Sequence, residues 1–217
     1  MSGFRPLGRA FSPALASGMR ILLVGASGTI GKAVAAALRP RHDVIEASRQ
    51  KSHERVDLTD EDSIRFLYHR LGRVDAVVVA AGGAAFKPLD QLTDADFLFS
   101  FRNKLMGQVN MVRVGISELT DGGSFTLTSG ILAQQPSPGS SAVSLVNAGI
   151  EAFARAVALE LPRGLRINVV SPPWVSETLK AMGRDPAGGL PATVVAGSYV
   201  ASIEGNQTGT VIAPSAR

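Results

Sequence analysis

The sequence predicts one α/β domain in which a doubly wound parallel sheet carries helices on both faces. Three observations predict it. Apolar strand-like runs alternate with helical patterns, an order that right-handed crossovers convert into a parallel sheet. The runs are almost continuously apolar, as strands covered on both faces are. A glycine-rich turn joins the first run directly to the first helix.

The runs fall at 21–24, 44–47, 76–80, 124–128, 166–170 and, more weakly, 209–212. Helical patterns fall at 31–38, 60–71, 94–118 and 141–161. The last repeats at 3.6 residues through Leu145, Val146, Gly149, Ile150, Phe153, Val157 and Leu161. Residues 183–191, rich in Gly and Pro, read as a mobile loop. Thr59 or Asp60 is placed to cap the helix that starts near 60.

The turn reads Val24-Gly25-Ala26-Ser27-Gly28-Thr29-Ile30-Gly31. Strand, glycine turn and helix in this order predict a Rossmann-type dinucleotide site. Gly25 permits the tight turn, Gly28 clears a path for a pyrophosphate, and Gly31 lets the helix pack closely. The free N–H groups and positive dipole end of that helix then face the phosphates. Ligands in such sheets bind at the carboxyl ends of the strands. The residues to read there are Gly25 to Gly31, Ser48-Arg49, Ala81 to Gly83, Ser129-Gly130 and Pro172 to Thr178.

The 217 residues suit one large domain, and 45% hydrophobic against 18% charged residues supplies a substantial core. The chain has no cysteine, which excludes disulfides, thiolate metal sites and a cysteine nucleophile, and fits a cytoplasmic protein. Net charge is +4 with a pI near 9.8, but the basic residues are scattered, with no aromatic-interleaved stripe for nucleic acid. No apolar run approaches the roughly 20 residues of a membrane span. No metal-ligand cluster is expected. Residues 1–18 hold Arg5, Arg9 and no acid, and read as an extension before a domain starting at Met19, or as a targeting segment.

After the second strand, an acid favours an unphosphorylated ribose and an arginine accommodates a 2′-phosphate. Here Glu46 sits inside the strand and Ser48-Arg49 at its end, which favours NADP(H) over NAD(H). Asp57 is placed to accept from an adenine amino group. Ala81 and Gly82 leave room for a cofactor against backbone.

On these residues, with Asp75 to Gly82, Asn103, Gly107, Ser129, Pro172 and Thr178, the chain from about Arg20 onward resembles the short-chain dehydrogenase/reductase superfamily. The resemblance implies an NAD(P)-dependent oxidoreductase of small carbonyl or alcohol substrates, assembled as a homodimer or homotetramer. It implies cofactor contacts from Gly25, Ser27, Gly28, Thr29, Ile30, Gly31, Ser48, Arg49, Asp57, Ala81, Gly82, Pro172, Trp174, Val175 and Thr178. It also implies Ser129 at the substrate oxygen and Asn103 holding a water in a proton relay. The chain departs from the family at Thr29, in Val79-Ala80-Ala81-Gly82, and at Pro172-Pro173.

The largest departure is catalytic. The family's Tyr-x-x-x-Lys falls where this chain has Val143 and Asn147. Reduction of a carbonyl leaves charge on oxygen that an acid must neutralise, and losing that acid costs on the order of 10²–10⁴ in rate. Valine has no proton to give, and asparagine no charge. Among other candidates, Tyr68 is expected on the outer side of its helix and Tyr199 outside the pocket. His42, His53 and His69 are expected at the surface. Ser144 has no evident base, and Lys104 is expected to face solvent or an interface. The sequence therefore supports an oxidoreductase with protons delivered through water, or alternatively a nucleotide-binding sensor or partner protein of the same fold. Trp174 either lines a substrate pocket or anchors its loop, and 175–190 read as a lid.

Overall fold

A computed structural model describes residues 18–215. Seven parallel strands form one sheet: β1 (Arg20–Val24), β2 (Asp43–Ser48), β3 (Glu54–Arg55), β4 (Val74–Val79), β5 (Leu119–Thr128), β6 (Arg166–Val170) and β7 (Val211–Ile212). Their spatial order is β3-β2-β1-β4-β5-β6-β7. Leu22 of β1 therefore pairs with Ile45 on one side and Val77 on the other, and the chain reverses direction between β1 and β4. A cleft at the carboxyl edge is expected at this switch point.

The helices are α1 (Thr29–Leu38), α2 (Glu61–Leu71), α3 (Asp94–Ser100), α4 (Gly107–Gly115), α5 (Ser141–Val157), α6 (Ser176–Ala181) and α7 (Ala192–Glu204). Alternate β1 residues feed two cores. Leu22 and Val24 pack with α2, α4 and α5 through Ile64, Met111 and Ile150. Ile21 and Leu23 pack with α1 and α7 through Val34, Leu38, Val195 and Ile203. All four β1 residues are buried, as the apolar run requires. Asp60 caps α2 by accepting from the Asp62 N–H.

The structure corrects several expectations. The helix expected over 94–118 is interrupted by a π-helical segment, Phe101–Met106, whose N–H ladder reaches five residues back, as in Gly107 to the Arg102 carbonyl. Just after it the helix passes close to the loop after β3: a Cβ on Gly107 would lie 2.8 Å from Leu58 Cβ. α5 ends at Val157 rather than 161, and Leu145 is exposed. α7 escapes a periodicity reading because apolar or small residues surround most of it, Val194 outside as well as Val195 inside. Tyr68 is buried, its hydroxyl donating to the Met111 carbonyl at 2.8 Å. His42 is largely buried between the Met19 N–H, just before β1, and Glu204 at the end of α7, whereas His53 and His69 are exposed.

Of the expected N-terminal extension, residues 1–17 lie outside the described residues. Gly18 is already against the fold, where a Cβ would sit 2.1 Å from the Arg41 carbonyl oxygen.

Candidate functional site

Two cavities open at the carboxyl edge of the sheet. The first, about 280 Å³, is lined by the glycine turn, the ends of β2 and β4, and the loop after β3. The turn is fixed by backbone. The N–H groups of Gly25 and Ala26 donate to the Ala47 carbonyl, and that of Ala80 to Val24. Gly25 has φ of +92°, and a Cβ there would lie 2.4 Å from the Ala80 oxygen.

Gly28 and Gly31 divide the work differently. A Cβ on Gly31 would meet the Gly25 oxygen at 2.0 Å, so Gly31 is a packing position beneath the turn. A Cβ on Gly28 would meet nothing nearer than 3.4 Å and stands at the cavity wall. Ser27 and Gly28 thus face the first cavity and Ile30 the second, while Thr29 and Gly31 line neither.

At the far end of the first cavity stand Ser48, Arg49 and Asp57. Arg49 lies 3.0 Å from the Asp57 carboxylate. That carboxylate also accepts from the Thr59 N–H and hydroxyl, and these bonds, the N–H first, hold its pKa below the ordinary aspartate value. Ser48 Oγ accepts from the N–H groups of Lys51 and Ser52, so its oxygen braces a turn. Glu46 pairs with Arg39 instead of facing the cavity. Ala81, Gly82 and Asn103 complete the wall.

The second cavity, about 490 Å³, is mostly apolar. Ile30, Val143, Pro172, Trp174 and Val175 line it, with Ser129, Asn147, Thr178 and Lys104 as polar members. Trp174 is a lining residue, in edge contact with Phe86 at 6.2 Å and with the Arg184 guanidinium 5.1 Å above its ring. The expected lid at 175–190 is pinned at its base. Val175 bridges Leu190, and the Ala192 N–H donates to Glu177.

Ser129 sits at the end of β5, buried, and its hydroxyl donates to Glu151 Oε1 at 2.8 Å. Glu151 is itself buried on α5, accepts also from Gln134, and has Arg155 at 4.0 Å. The serine expected to donate to a substrate oxygen therefore spends its one proton on a carboxylate and offers lone pairs to the cavity. Glu151 follows Asn147 by one helical turn, a spacing that could have pointed to it.

Lys104 reverses the expectation of a solvent-facing side chain. It lies in the π-helical segment and lines the second cavity, with Nζ donating to the Ser129 carbonyl at 3.2 Å. Burial pushes its pKa down to about 8. A Cβ on Gly82 would come 2.9 Å from Lys104 Cα, so the loop after β4 needs a glycine for the lysine to pass. Asn103, expected in the proton relay, instead faces the first cavity and donates to its own helix at the Phe99 carbonyl. Gln108, one turn on, clamps both backbone groups of Thr128 at 2.8 Å and locks the segment to the end of β5.

Both tyrosines are structural. Tyr199 is buried and its hydroxyl bonds Thr128 Oγ1, and burial raises both phenols well above their ordinary pKa. Among the described residues, no group of three His, Cys, Asp or Glu is placed to hold a metal. No helix among them is long and apolar enough to cross a membrane.

The residues fit a dinucleotide on two grounds. The Gly25–Gly28 cradle is open on the cavity side at the N-terminus of α1. Asn147 is buried against the second cavity, with Nδ2 weakly bonded to the Gly130 carbonyl at 3.4 Å and Oδ1 lacking any partner among the described residues. An orphaned buried acceptor in a cavity wall calls for a ligand donor, as a ribose hydroxyl is.

Comparison with known proteins agrees. A family model described as enoyl-(acyl carrier protein) reductase matches residues 10–200. Cis-4-hydroxycyclohexanecarboxylate dehydrogenase of Sinomonas cyclohexanicum is 30% identical over 87% of this chain and 81% of its own. Hydroxynaphthalene reductase arp2 of Aspergillus fumigatus is 31% identical over 63% of this chain, and the match spans 54% of that relative. The lin1944 protein of Listeria innocua superimposes with a TM-score of 0.87 at 42% identity, covering 90% of this chain and 98% of its own. A small-chain dehydrogenase solved in complex with NADPH gives 0.80 at 28%, covering 91% and 96%. The chain belongs to the short-chain dehydrogenase/reductase superfamily of oxidoreductases.

Proposed function

We propose that this protein is an NADP(H)-dependent oxidoreductase of small, largely apolar carbonyl or alcohol substrates. The observation that carries the reading is the pairing of a backbone-lined phosphate cradle with an adjoining apolar cavity whose wall holds an orphaned acceptor, Asn147 Oδ1. Bound there, the dinucleotide supplies or accepts hydride. The Gly25, Ser27 and Gly28 backbone holds its phosphates, Ala81 and Gly82 leave it room, and Asn147 takes a ribose hydroxyl. Pro172, Val175 and Thr178 border the space for its nicotinamide end.

The preference for the phosphorylated cofactor rests on Arg49, which lines the cradle and is free to turn from Asp57 to a 2′-phosphate, while Glu46 is engaged by Arg39. The NADPH complex of a neighbouring structure supports it. Trp174, Phe86 and Ile131 give the substrate space an apolar wall, which favours ring or short-chain substrates over sugars. A homo-oligomer and a cytoplasmic setting complete the reading. Exposed Leu98, Phe101 and Leu145 lie on the packed α3, π-helical and α5 elements, and the chain carries no cysteine.

A second reading has its own observation. Val143 and Asn147 face the cavity at the places where the resemblance implies tyrosine and lysine, and Ser129 is committed to Glu151. A nucleotide-binding protein without turnover has the same features. Calorimetry with NADPH and NADH, followed by NADPH oxidation across a panel of ketones and aldehydes, separates the two. Tighter NADPH binding with turnover supports the oxidoreductase. Tight binding without turnover overturns it in favour of the second reading.

A further inference from the structure

Of the residues lining the second cavity, one is charged: Lys104. We propose that Lys104 is the proton donor of this site, giving its proton to the oxygen of a carbonyl substrate in the second cavity and so doing the work that Val143 and Asn147 cannot. The proposal rests on the oxidoreductase reading above.

The geometry supplies the role in three steps. Within the π-helical segment Asn103 lines the first cavity and Lys104 the second. Such single-turn π-helical segments recur at functional sites. Gly82 clears the path, and Gln108 fixes the segment against β5. The ammonium has three N–H bonds, of which one goes to the Ser129 carbonyl. The other two have no acceptor among the described residues.

Neighbouring groups leave the amine free to act. Ser129 cannot donate while its proton is held by Glu151, so it accepts and orients instead. Glu151 is a positioning residue, since it reaches the site through Ser129. The ionisable groups on the surrounding elements are engaged elsewhere: Lys87 with Asp96, Asp57 with Arg49, Glu177 with the Ala192 N–H, and Glu151 with Ser129 and Gln134. None of them forms an ion pair with Lys104. Lowered to about 8 by burial, the amine is protonated at neutral pH and acidic enough to release its proton, which an ordinary lysine is not.

The step balances. A bound reduced nicotinamide dinucleotide would supply the hydride for the new C–H bond and be left oxidised. The C=O π pair moves onto oxygen, which takes a proton from Nζ to become the hydroxyl. Lys104 is left as the neutral amine and is reprotonated by solvent. In the alcohol-oxidising direction the neutral amine accepts that proton.

The test compares wild type, Lys104→Met and Lys104→Arg for NADPH binding, carbonyl reduction from pH 6 to 10, and labelling of amines by acetic anhydride read by mass spectrometry. The expected result has four parts. Wild-type kcat/KM falls as pH rises through about 8. Lys104→Met loses at least about a hundredfold in turnover with NADPH affinity unchanged. Lys104→Arg, which cannot release its proton near neutral pH, loses both turnover and the alkaline limb. Labelling of Lys104 has its midpoint near 8. A Lys104→Met enzyme within threefold of wild type overturns the proposal and leaves the oxidoreductase reading standing, as does a Lys104 labelling midpoint near that of the surface lysines. Wild-type protein that binds NADPH and reduces nothing overturns both.

Discussion

The two cavities are made from different materials. The first is a backbone site: its shape comes from Gly25, Gly28, Ala81 and Gly82, and its two charged side chains, Arg49 and Asp57, neutralise each other. The second is a side-chain site, walled by Trp174, Phe86 and Val143, with one ammonium and one orphaned amide oxygen. The difference teaches where each function is stored. On the reading proposed above, phosphate binding rests on the absence of Cβ atoms at defined places, and proton transfer on a single lysine side chain in the cavity wall.

The sharpest way to break this comparison is to add one methyl group at a time. Gly31→Ala forces a Cβ to 2.0 Å from the Gly25 oxygen, beneath the turn. It is expected to cost about 3 kcal/mol or more, read as a large fall in denaturant midpoint. Gly28→Ala meets nothing closer than 3.4 Å and keeps ordinary φ, so it folds. It is expected to lose at least about a hundredfold in NADPH affinity by calorimetry, roughly 2.7 kcal/mol. Equal effects of the two on folding would remove the distinction between packing and cradle.

In the second cavity, Glu151→Ala leaves the Ser129 hydroxyl and the Gln134 amide without their buried acceptor. A loss of about 1–3 kcal/mol is expected in chemical denaturation, and Glu151→Gln should recover part of it by retaining an acceptor. Arg49→Ala is a smaller change at the first cavity. It should narrow the NADPH-to-NADH affinity ratio by about tenfold, some 1.4 kcal/mol, with folding unaffected.

A further effect is on stability, and its sign follows from linkage. Burial lowers Lys104 in the folded state to about 8, against an ordinary value of 10.5. The folded protein therefore carries a penalty that is full below pH 8 and fades as pH rises toward 10.5. Lys104→Met should raise Tm by a few degrees at pH 7, and the gain should shrink by pH 10.

The first cavity was legible in sequence because its signal is local. Gly25-x-x-Gly28-x-x-Gly31 lies between an apolar strand and a helix, and Ser48-Arg49 follows the next strand within one unit. The second cavity is assembled from positions far apart. Ser129 and Trp174 were found from their places at strand ends, but Glu151 and Lys104 were not. Lys104 reads as facing solvent or an interface because nothing local in the sequence marks the cavity it lines, and the π-helical segment that carries it has no periodic signature. Tyr68 reads as outward-facing because the contact that buries it, the Met111 carbonyl, is 43 residues away in sequence. The sheet was recovered nearly whole, apart from the two-residue β3. Neither α6 nor α7 has a counterpart among the helical patterns: α6 is a short helix inside the stretch read as a lid, and the apolar residues of α7 lie on too many sides to show a face.

One measurement tests most directly whether the two cavities form a single dinucleotide site. Trp174 is the chain's one tryptophan, and it lines the second cavity while the phosphate cradle belongs to the first. NADPH titrated into the protein should quench Trp174 emission saturably, with energy transfer to the dihydronicotinamide, and Gly28→Ala should abolish the quench. NADPH that binds by calorimetry yet leaves Trp174 emission unchanged would place the nicotinamide outside the second cavity and contradict the account.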